Sequence, residues 1–329
     1  MSSRFEFTYI STFAGCGGSS LGYKWAGGRG LLAIEFDANA AATYRANFET
    51  PVLERDICTV TAEEVLKLTG LKVGELDVLD GSPPCQGFST AGKRQIHDPR
   101  NSLFVEFVRL IEGLQPKVFV MENVSGMVKG KMKYVFAEIM RCLKATGYTV
   151  RCQLLNAMYF NVPQSRERLI WIGVRPDIER APQFPNAQGR PKTFREAVEG
   201  LVVPKDEPPQ VVTALMRQRW AILEQGERHA DSKFGWYRKS NEKLAWDDVV
   251  GTIVKTEAGL PFHPTEPRKL HICELKRIAS FGDGHKFQGS RDEQVARIGN
   301  CVPPRFMQAI AECIRDNILE PAALKAKRP

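Results

Sequence analysis

Residues 1 to about 178 alternate short apolar runs with longer stretches of helical character, and no other feature constrains this chain more. Runs 7–10, 31–37, 76–80, 118–120 and 169–174 read as strands, with a further short strand ending at Asp56-Ile57. Residues 101–113 and 132–146 read as helices. Apolar strands separated by helices predict a doubly wound, mostly parallel sheet with helices on both faces. In such a sheet, ligands bind beyond the carboxyl ends of the strands, where the strand order reverses. Polar motifs at strand ends are therefore where chemistry is expected.

The most informative of them is Gly81-Ser82-Pro83-Pro84-Cys85-Gln86-Gly87-Phe88-Ser89, directly after the strand at 76–80. Two prolines keep the chain out of a helix and hold the cysteine out rigidly at the sheet edge, as a nucleophile requires. The alternative is a structural cysteine in a tight turn. Met121-Glu122-Asn123-Val124 follows the next apolar run and brings a carboxylate to a neighbouring strand end; such an acid can also serve a helix start. Gln164-Ser165-Arg166-Glu167-Arg168 precedes the strand at 169–174. Arg166 and Arg168, at alternate positions, are expected on one face of an extended segment; a solvated charge run is the competing reading. Arg297-Ile298-Gly299-Asn300-Cys301-Val302-Pro303-Pro304 comes last, with its prolines suited to a helix start.

At the N-terminus the first strand runs into Phe13-Ala14-Gly15-Cys16-Gly17-Gly18-Ser19-Ser20-Leu21-Gly22-Tyr23, a glycine-rich turn opening a helix. Such a turn lets backbone approach a ligand closely. It is not a dinucleotide fingerprint, because the third glycine would fall at Ser20, and no Lys-Ser/Thr follows to make a phosphate loop. Glu35, about 20 residues past the turn, suits a ribose hydroxyl pair. Phe36 beside it suits an adenine face, and Asp56 ends the third strand. Nucleoside recognition fits this set.

Composition agrees. The chain has 329 residues, enough for one large domain or two, and its apolar content of 43% is ample for a core. A net charge of +8 and a pI near 9.1 favour an anionic partner. The eight cysteines form no CxxC pair and no His/Cys cluster, so a reducing cytoplasm is expected rather than disulfides or zinc. No apolar run approaches the roughly 18 residues of a membrane span, and the N-terminus is not a secretory signal. Prolines 176, 182, 185 and 191 break the βα rhythm. From about 182 to 265 the chain is rich in Pro, Trp and Arg. It includes Arg228-His229-Ala230-Asp231-Ser232-Lys233-Phe234-Gly235-Trp236-Tyr237-Arg238-Lys239-Ser240-Asn241. Interleaved basic, amide and aromatic groups can hold phosphates and read base edges, or can simply form a solvated loop with aromatic anchors.

These motifs, in this order and over nearly the full length, resemble those of the bacterial DNA (cytosine-5)-methyltransferase family. Phe13-Ala14-Gly15-Cys16-Gly17-Gly18 is similar to the family's first motif, Glu35-Phe36-Asp37 and Asp56-Ile57 to the second and third, and Pro83-Pro84-Cys85-Gln86 to the catalytic fourth. Asn101-Ser102-Leu103-Phe104 resembles the fifth, Glu122-Asn123-Val124 the sixth, and Gln164-Ser165-Arg166-Glu167-Arg168 the eighth. Residues 268–281 and 299–304 resemble the ninth and tenth. One departure is Phe281-Gly282-Asp283, where the family commonly has Phe-Pro-Asp; that segment supports recognition rather than chemistry.

The resemblance implies a catalytic and cofactor-binding domain over 1–178 with the S-adenosylmethionine-dependent methyltransferase fold. It implies a smaller, irregular target-recognition domain over 179–265, and a support segment with a returning C-terminal helix over 266–329. Cys85 is implied as the nucleophile, Glu122 as the group binding the ring nitrogen and exocyclic amine, and Arg168 as the holder of the ring carbonyl, with Arg166 nearby. The implied methyl donor is S-adenosylmethionine, leaving S-adenosylhomocysteine. Its site would use Phe13, Gly15, Gly17, Gly18, Glu35, Phe36, Asp56, Ile57, Leu103 and Asn300, and no metal. A stacked cytosine cannot offer its carbon 6 to a thiolate, so the base must be flipped out. Residues 86–100 are composed for a lid over it, with Gln86, Ser89, Lys93 and Arg94 as expected DNA contacts. Lys233, Trp236, Arg238 and Asn241 are the expected readers within the recognition region. The expected partner is double-stranded DNA in a bacterial cytoplasm, with no membrane. Pairing with a restriction endonuclease for the same site and an orphan role are the two alternatives, and a monomer is expected, with a dimer as the alternative. A tRNA cytosine-5 methyltransferase and an inactive DNA-binding regulator are the competing readings; the long region between Arg168 and Arg268 favours DNA, and the intact Cys85, Glu122 and Arg168 favour an enzyme.

Overall fold

The computed structural model describes residues 5–84, 102–128, 132–207, 210, 212–227 and 242–326. Cys85 therefore lies outside the described residues, as do Gln86, Ser89, Lys93, Arg94 and the expected lid, and Lys233, Trp236, Arg238 and Asn241. The chain divides into two compact units. The first comprises Met1–Leu155, Glu167–Asn186 and Met307–Pro329; the second comprises Asn156–Arg166 and Ala187–Phe306.

The first unit is built on a seven-stranded sheet in the order β3-β2-β1-β4-β5-β7-β6. Its strands are β1 (Phe7–Thr12), β2 (Gly28–Glu35), β3 (Val52–Glu54), β4 (Val78–Gly81), β5 (Val118–Val124), β6 (Thr149–Asn156) and β7 (Glu167–Val174). β1 pairs in parallel with β2 and β4, β2 with β3, and β4 with β5, whereas β5 and β7 are antiparallel. The expected doubly wound sheet is thus present, in mixed form. Strand order reverses between β1 and β4, whose ends are level, with Thr12 opposite Gly81. That reversal is where such sheets bind ligands.

The strands bury both faces. Ile10, Ile34, Leu79, Phe119, Met121, Leu169 and Trp171 lie in one cluster. They share it with residues of α3 (Ala62–Thr69), α4 (Ser102–Leu114) and α5 (Lys133–Ala145). Fully burying a side chain such as Phe107 or Phe119 is worth about 1.5–3 kcal/mol, so this cluster fixes the strand ends firmly. On the other face Phe7 and Tyr9 pack against Tyr23 of α1 (Gly18–Trp25). A smaller cluster joins Ala14 and Ala33 to Tyr44 and Phe48 at α2 (Ala38–Arg45). Both long helices agree with the sequence expectation to within a residue at each end.

In the second unit, the described part of residues 187–265 has no βα rhythm. It contains α6 (Phe194–Val198) and α7 (Ala214–Ala221) with isolated bridges such as Lys243 to Phe262. α6 begins at a capping box between Thr193 and Glu196, satisfying two backbone donors reciprocally. α8 (Ile272–Ile278) and α9 (Arg291–Asn300) follow. A buried polar knot holds this unit: Arg268 grips Glu274 with two bonds of 2.8 and 2.9 Å, and the ring of His263 packs edge-on against Phe194 and Trp246. Burial holds the His263 imidazole below its usual range.

The C-terminal segment is α10 (Pro304–Ile314), a π-helical turn at Arg315–Leu319, and α11 (Glu320–Ala326). From Met307 onward it belongs to the first unit, where the Arg315 guanidinium donates to the Ala26 carbonyl at the end of α1. Among the described residues no helix is long and apolar enough to cross a membrane.

Candidate active site

The glycine turn between β1 and α1 is held by unusual backbone angles. Phe13, Gly15 and Gly17 have φ of 54°, 55° and 84°, the left-handed region that costs a side-chain-bearing residue about 1–2 kcal/mol. Gly17 is the N-cap of α1, and a Cβ there would lie 2.3 Å from the Phe48 ring. Glycine is required at that point on both counts. The buried carboxylate of Glu35, at the end of β2, accepts from the Gly15 amide at 2.7 Å and from the Asp37 amide at 2.9 Å. Glu35 thereby ties the turn to β2, and each of its oxygens keeps a lone pair for a further donor. Phe36 follows with 72% of its surface exposed. Phe13, Gly15, Gly17, Gly18, Glu35 and Phe36 are thus brought together by the ends of two adjacent parallel strands.

Asp56 differs from expectation in its local setting. β3 stops at Glu54, and Asp56 caps the short 3₁₀ turn Ile57–Thr59 by accepting from the Cys58 amide at 2.9 Å. Ile57 is buried beneath it, and Leu103 sits in the first turn of α4, partly buried against the main core. Asn300 is the exposed last residue of α9, in the second unit.

The end of β4 is equally constrained. A Cβ on Gly81 would lie 2.5 Å from Thr12 Oγ1 and 2.6 Å from the Phe107 ring. The Asn123 side-chain amide donates to the Pro83 carbonyl at 2.9 Å. The chain entering Cys85 is therefore anchored to β5, two residues before the cysteine.

Glu122 lies within β5, not beyond it, because the strand continues to Val124 in register with β7. Antiparallel pairing sets Val124 opposite Arg168, so Arg168 reaches diagonally to Glu122. Arg168 Nε and Glu122 Oε1 are 2.7 Å apart, with side chains only 11% and 10% exposed. Arg166 behaves differently. Its guanidinium donates to the carbonyls of Ile253 at 3.2 Å and Gly299 at 2.9 Å, buried within the second unit. A Cβ on Gly299 would lie 2.5 Å from the Val254 carbonyl, so backbone segments meet closely there. The expectation that both arginines share one face gave their spacing but not their partners.

Sequence reasoning missed a buried polar layer under the first turn of α1. Asp80, on β4, accepts from Ser11 Oγ at 3.2 Å and from the Tyr23 hydroxyl at 3.3 Å. Tyr9 donates to the Ser20 carbonyl and Tyr44 to the Ser20 hydroxyl. Burial pushes the Asp80 carboxyl up to about 7, against the lowering effect of its hydroxyl donors and with a further upward push from Glu122. The available signal was an aspartate inside an otherwise apolar strand.

Comparison with known proteins agrees with this architecture. The model of the family described as C-5 cytosine-specific DNA methylase matches residues 7–316. The chain is 34% identical over 327 residues to the Type II methyltransferase M1.HphI of Haemophilus parahaemolyticus, covering 94% of this chain and 87% of that protein. It is 30% identical over 360 residues to the Type II methyltransferase M.XorII of Xanthomonas oryzae pv. oryzae, covering 92% and 82%. In fold it is similar to a protein encoded within an E. coli prophage and described as a DNA modification methyltransferase. The TM-score is 0.79 and the identity 24%, over 95% of this chain and 99% of that one. A family match across almost all of the sequence, on a mixed sheet whose strand ends carry the expected motifs, means that the chain belongs to the C-5 cytosine-specific DNA methylase family and is a DNA cytosine-5 methyltransferase.

Proposed function

We propose that the chain transfers a methyl group from S-adenosylmethionine to carbon 5 of a cytosine flipped out of a specific duplex sequence, through a covalent adduct on Cys85. The observation that carries this is the Glu122–Arg168 pair beside the strand reversal, next to the Asn123-anchored segment that leads into Cys85.

The residues present fit the donor. Glu35 retains acceptor capacity for a ribose hydroxyl, Phe36 offers an open ring face, and the Gly15–Gly18 turn leaves backbone free to approach a ligand. Asp56, Ile57 and Leu103 complete the adenosine side of this assignment; for Asn300 it rests on its motif. The donor supplies an electrophilic methyl group.

The protein supplies the nucleophile and the charges around it. The Cys85 thiolate adds to carbon 6 of cytosine, which makes carbon 5 enamine-like. Glu122 accepts from the exocyclic amine and, taking up a proton from solvent as the base binds, passes it to the ring nitrogen as negative charge develops there. Arg168 holds the ring carbonyl oxygen and keeps Glu122 oriented, a role suited to a side chain that stays charged. Once carbon 5 carries the methyl, a base takes its hydrogen as a proton and the thiolate leaves. Arg166 acts at one remove, by holding the Gly299 carbonyl beside Asn300.

Lys93 and Arg94 are assigned to DNA phosphates, Gln86 and Ser89 to the flipped nucleotide's surroundings, and Lys233, Trp236, Arg238 and Asn241 to the target. Residues 179–265 are assigned to recognition and 266–329 to its support. The Type II relatives favour a cognate endonuclease in the same bacterial cytoplasm. Duplex DNA carrying 5-fluorocytosine in the target should trap the wild-type chain covalently and leave Cys85→Ala free. Equal trapping of both would sink the assignment. Methylation of tRNA but not of duplex DNA would move the substrate.

A further inference from the structure

One buried carboxylate has no part in this mechanism, and it lies beneath the glycine turn. Asp80 is 2% exposed. It accepts from Ser11 of β1 and Tyr23 of α1, and its carboxyl is also hydrogen-bonded by the Ser19 hydroxyl. Ser11 stands two residues before Phe13, and Ser19 immediately follows Gly18. One carboxylate therefore grips both flanks of the turn. The titratable groups that face it are Tyr23 from α1, Tyr9 from β1, Tyr44 from α2 and Glu122 from β5. Every one of these is neutral or negative, so none of them offsets the charge of an ionised Asp80. In a low-dielectric interior that charge is felt at the turn above it.

We propose that Asp80 is a positioning residue for the methyl donor, fixing the two flanks of the glycine turn and favouring a positively charged ligand there over an uncharged one. This rests on the reading of the turn as the S-adenosylmethionine site. The donor carries a sulfonium cation, whereas the product S-adenosylhomocysteine has a neutral thioether in its place. Donor binding is accordingly linked to ionisation of Asp80, and product binding is not. Burial sets the Asp80 carboxyl near neutrality, so its charge changes within the range where the protein can be assayed. By reciprocity the donor draws a proton off Asp80 as it binds, and the product leaves that proton in place. Loss of the sulfonium charge in turnover thus weakens the hold on the product.

Calorimetry on the full chain between pH 6 and 8.5 tests this with both ligands. Donor affinity should rise by about five-fold or more across that range, the lower end of ordinary coupling between sites, while product affinity changes by less than about two-fold. The sulfonium makes the donor's amino group more acidic than the product's, so the titration of each free ligand is measured separately and subtracted before the comparison. Repeating the titration in buffers of different ionisation enthalpy should reveal a proton released with the donor alone. Ser11 and Tyr23 donate to different oxygens of Asp80. Asp80→Asn therefore keeps the shape and an acceptor for one of them, while the other hydroxyl must turn to accept from the new amide. The variant should flatten the donor's pH dependence and abolish the proton release. Parallel pH profiles for donor and product, or an unchanged profile in Asp80→Asn, would overturn the inference. Should that variant not fold, the donor-against-product comparison in the wild type decides the matter alone. Wild-type protein that binds neither ligand would overturn the assignment of the turn itself, a different result from donor and product binding alike.

Discussion

Breaking the Glu122–Arg168 pair should cost stability as well as activity, and the amount follows from its burial. The two groups meet at 2.7 Å with about a tenth of each side chain exposed. Arg168→Met keeps the apolar stem but removes the cation, leaving the Glu122 carboxylate buried without it. Removing one partner of a buried pair costs about 3–5 kcal/mol. The residual exposure puts this case at the lower end, at about 3 kcal/mol. Arg168 also donates to the Glu167 carbonyl at 2.7 Å, an exposed bond that adds little. Glu122→Gln combined with Arg168→Met removes both charges, and should recover much of the loss. A coupling energy of at least about 1 kcal/mol is expected from the four-protein cycle. Urea unfolding of wild type, both single variants and the double variant at pH 7.5 measures it. Coupling below about 0.5 kcal/mol, the level at which independent sites simply add, would refute the idea that these side chains hold each other. Glu122→Gln should meanwhile lose methyl transfer while still binding the donor.

Three further outcomes are expected. The native Asp80 carboxyl titrates near 7 and an unfolded aspartate near 3.9, so the folded state holds its proton over that window and stability falls as pH rises through it, by about 4 kcal/mol in full. The whole penalty is present above pH 7, and the stability of Asp80→Asn relative to wild type, from urea titrations between pH 4 and 8, should rise across the window. Gly17→Ala meets both the left-handed backbone and the Phe48 ring. It should destabilise the fold by about 1–2 kcal/mol or more, lowering the melting temperature, and should weaken donor binding; calorimetry showing unchanged affinity would place the donor elsewhere. Glu35→Ala should weaken donor binding by about 1–3 kcal/mol, as for a lost hydrogen bond to a charged group, measured in the same way.

Much of the first unit was legible because its signals are local. The strands of β1, β2, β4, β5 and β7 are apolar runs, and each places its polar motif at or near an end, so sequence order alone located Glu35, Glu122 and Arg168 near the sheet edge. The boundaries slipped where pairing decides them. β5 extends through Glu122 because β7 runs alongside it to Arg168, and β3 ends before Asp56 because its pairing with β2 ends at Glu35. Neither partner strand is visible from within the segment itself.

The polar layer under α1 was not legible for a related reason. Asp80 in isolation reads as a residue ill suited to a buried strand, since an ionised carboxylate without partners is strongly disfavoured there. What makes it tolerable is a set of hydroxyls drawn from β1 and α1, at Ser11, Ser19 and Tyr23, far apart in sequence and convergent only when β1 and β4 pair. The two arginines make the same point in reverse. Their alternate spacing predicts one face of an extended segment, yet Arg168, within β7, finds a carboxylate on β5, while Arg166, just before that strand, finds carbonyls at Ile253 and Gly299. A residue's type and spacing limit what it can do, but its partner decides which of those things it does. Glu122 shows how far that reaches: within one unit it is joined to Arg168 by an ion pair and pushes on Asp80 by charge, so the group assigned to the chemistry and the group beneath the glycine turn share an electrostatic environment. A change of charge at either should be felt at the other.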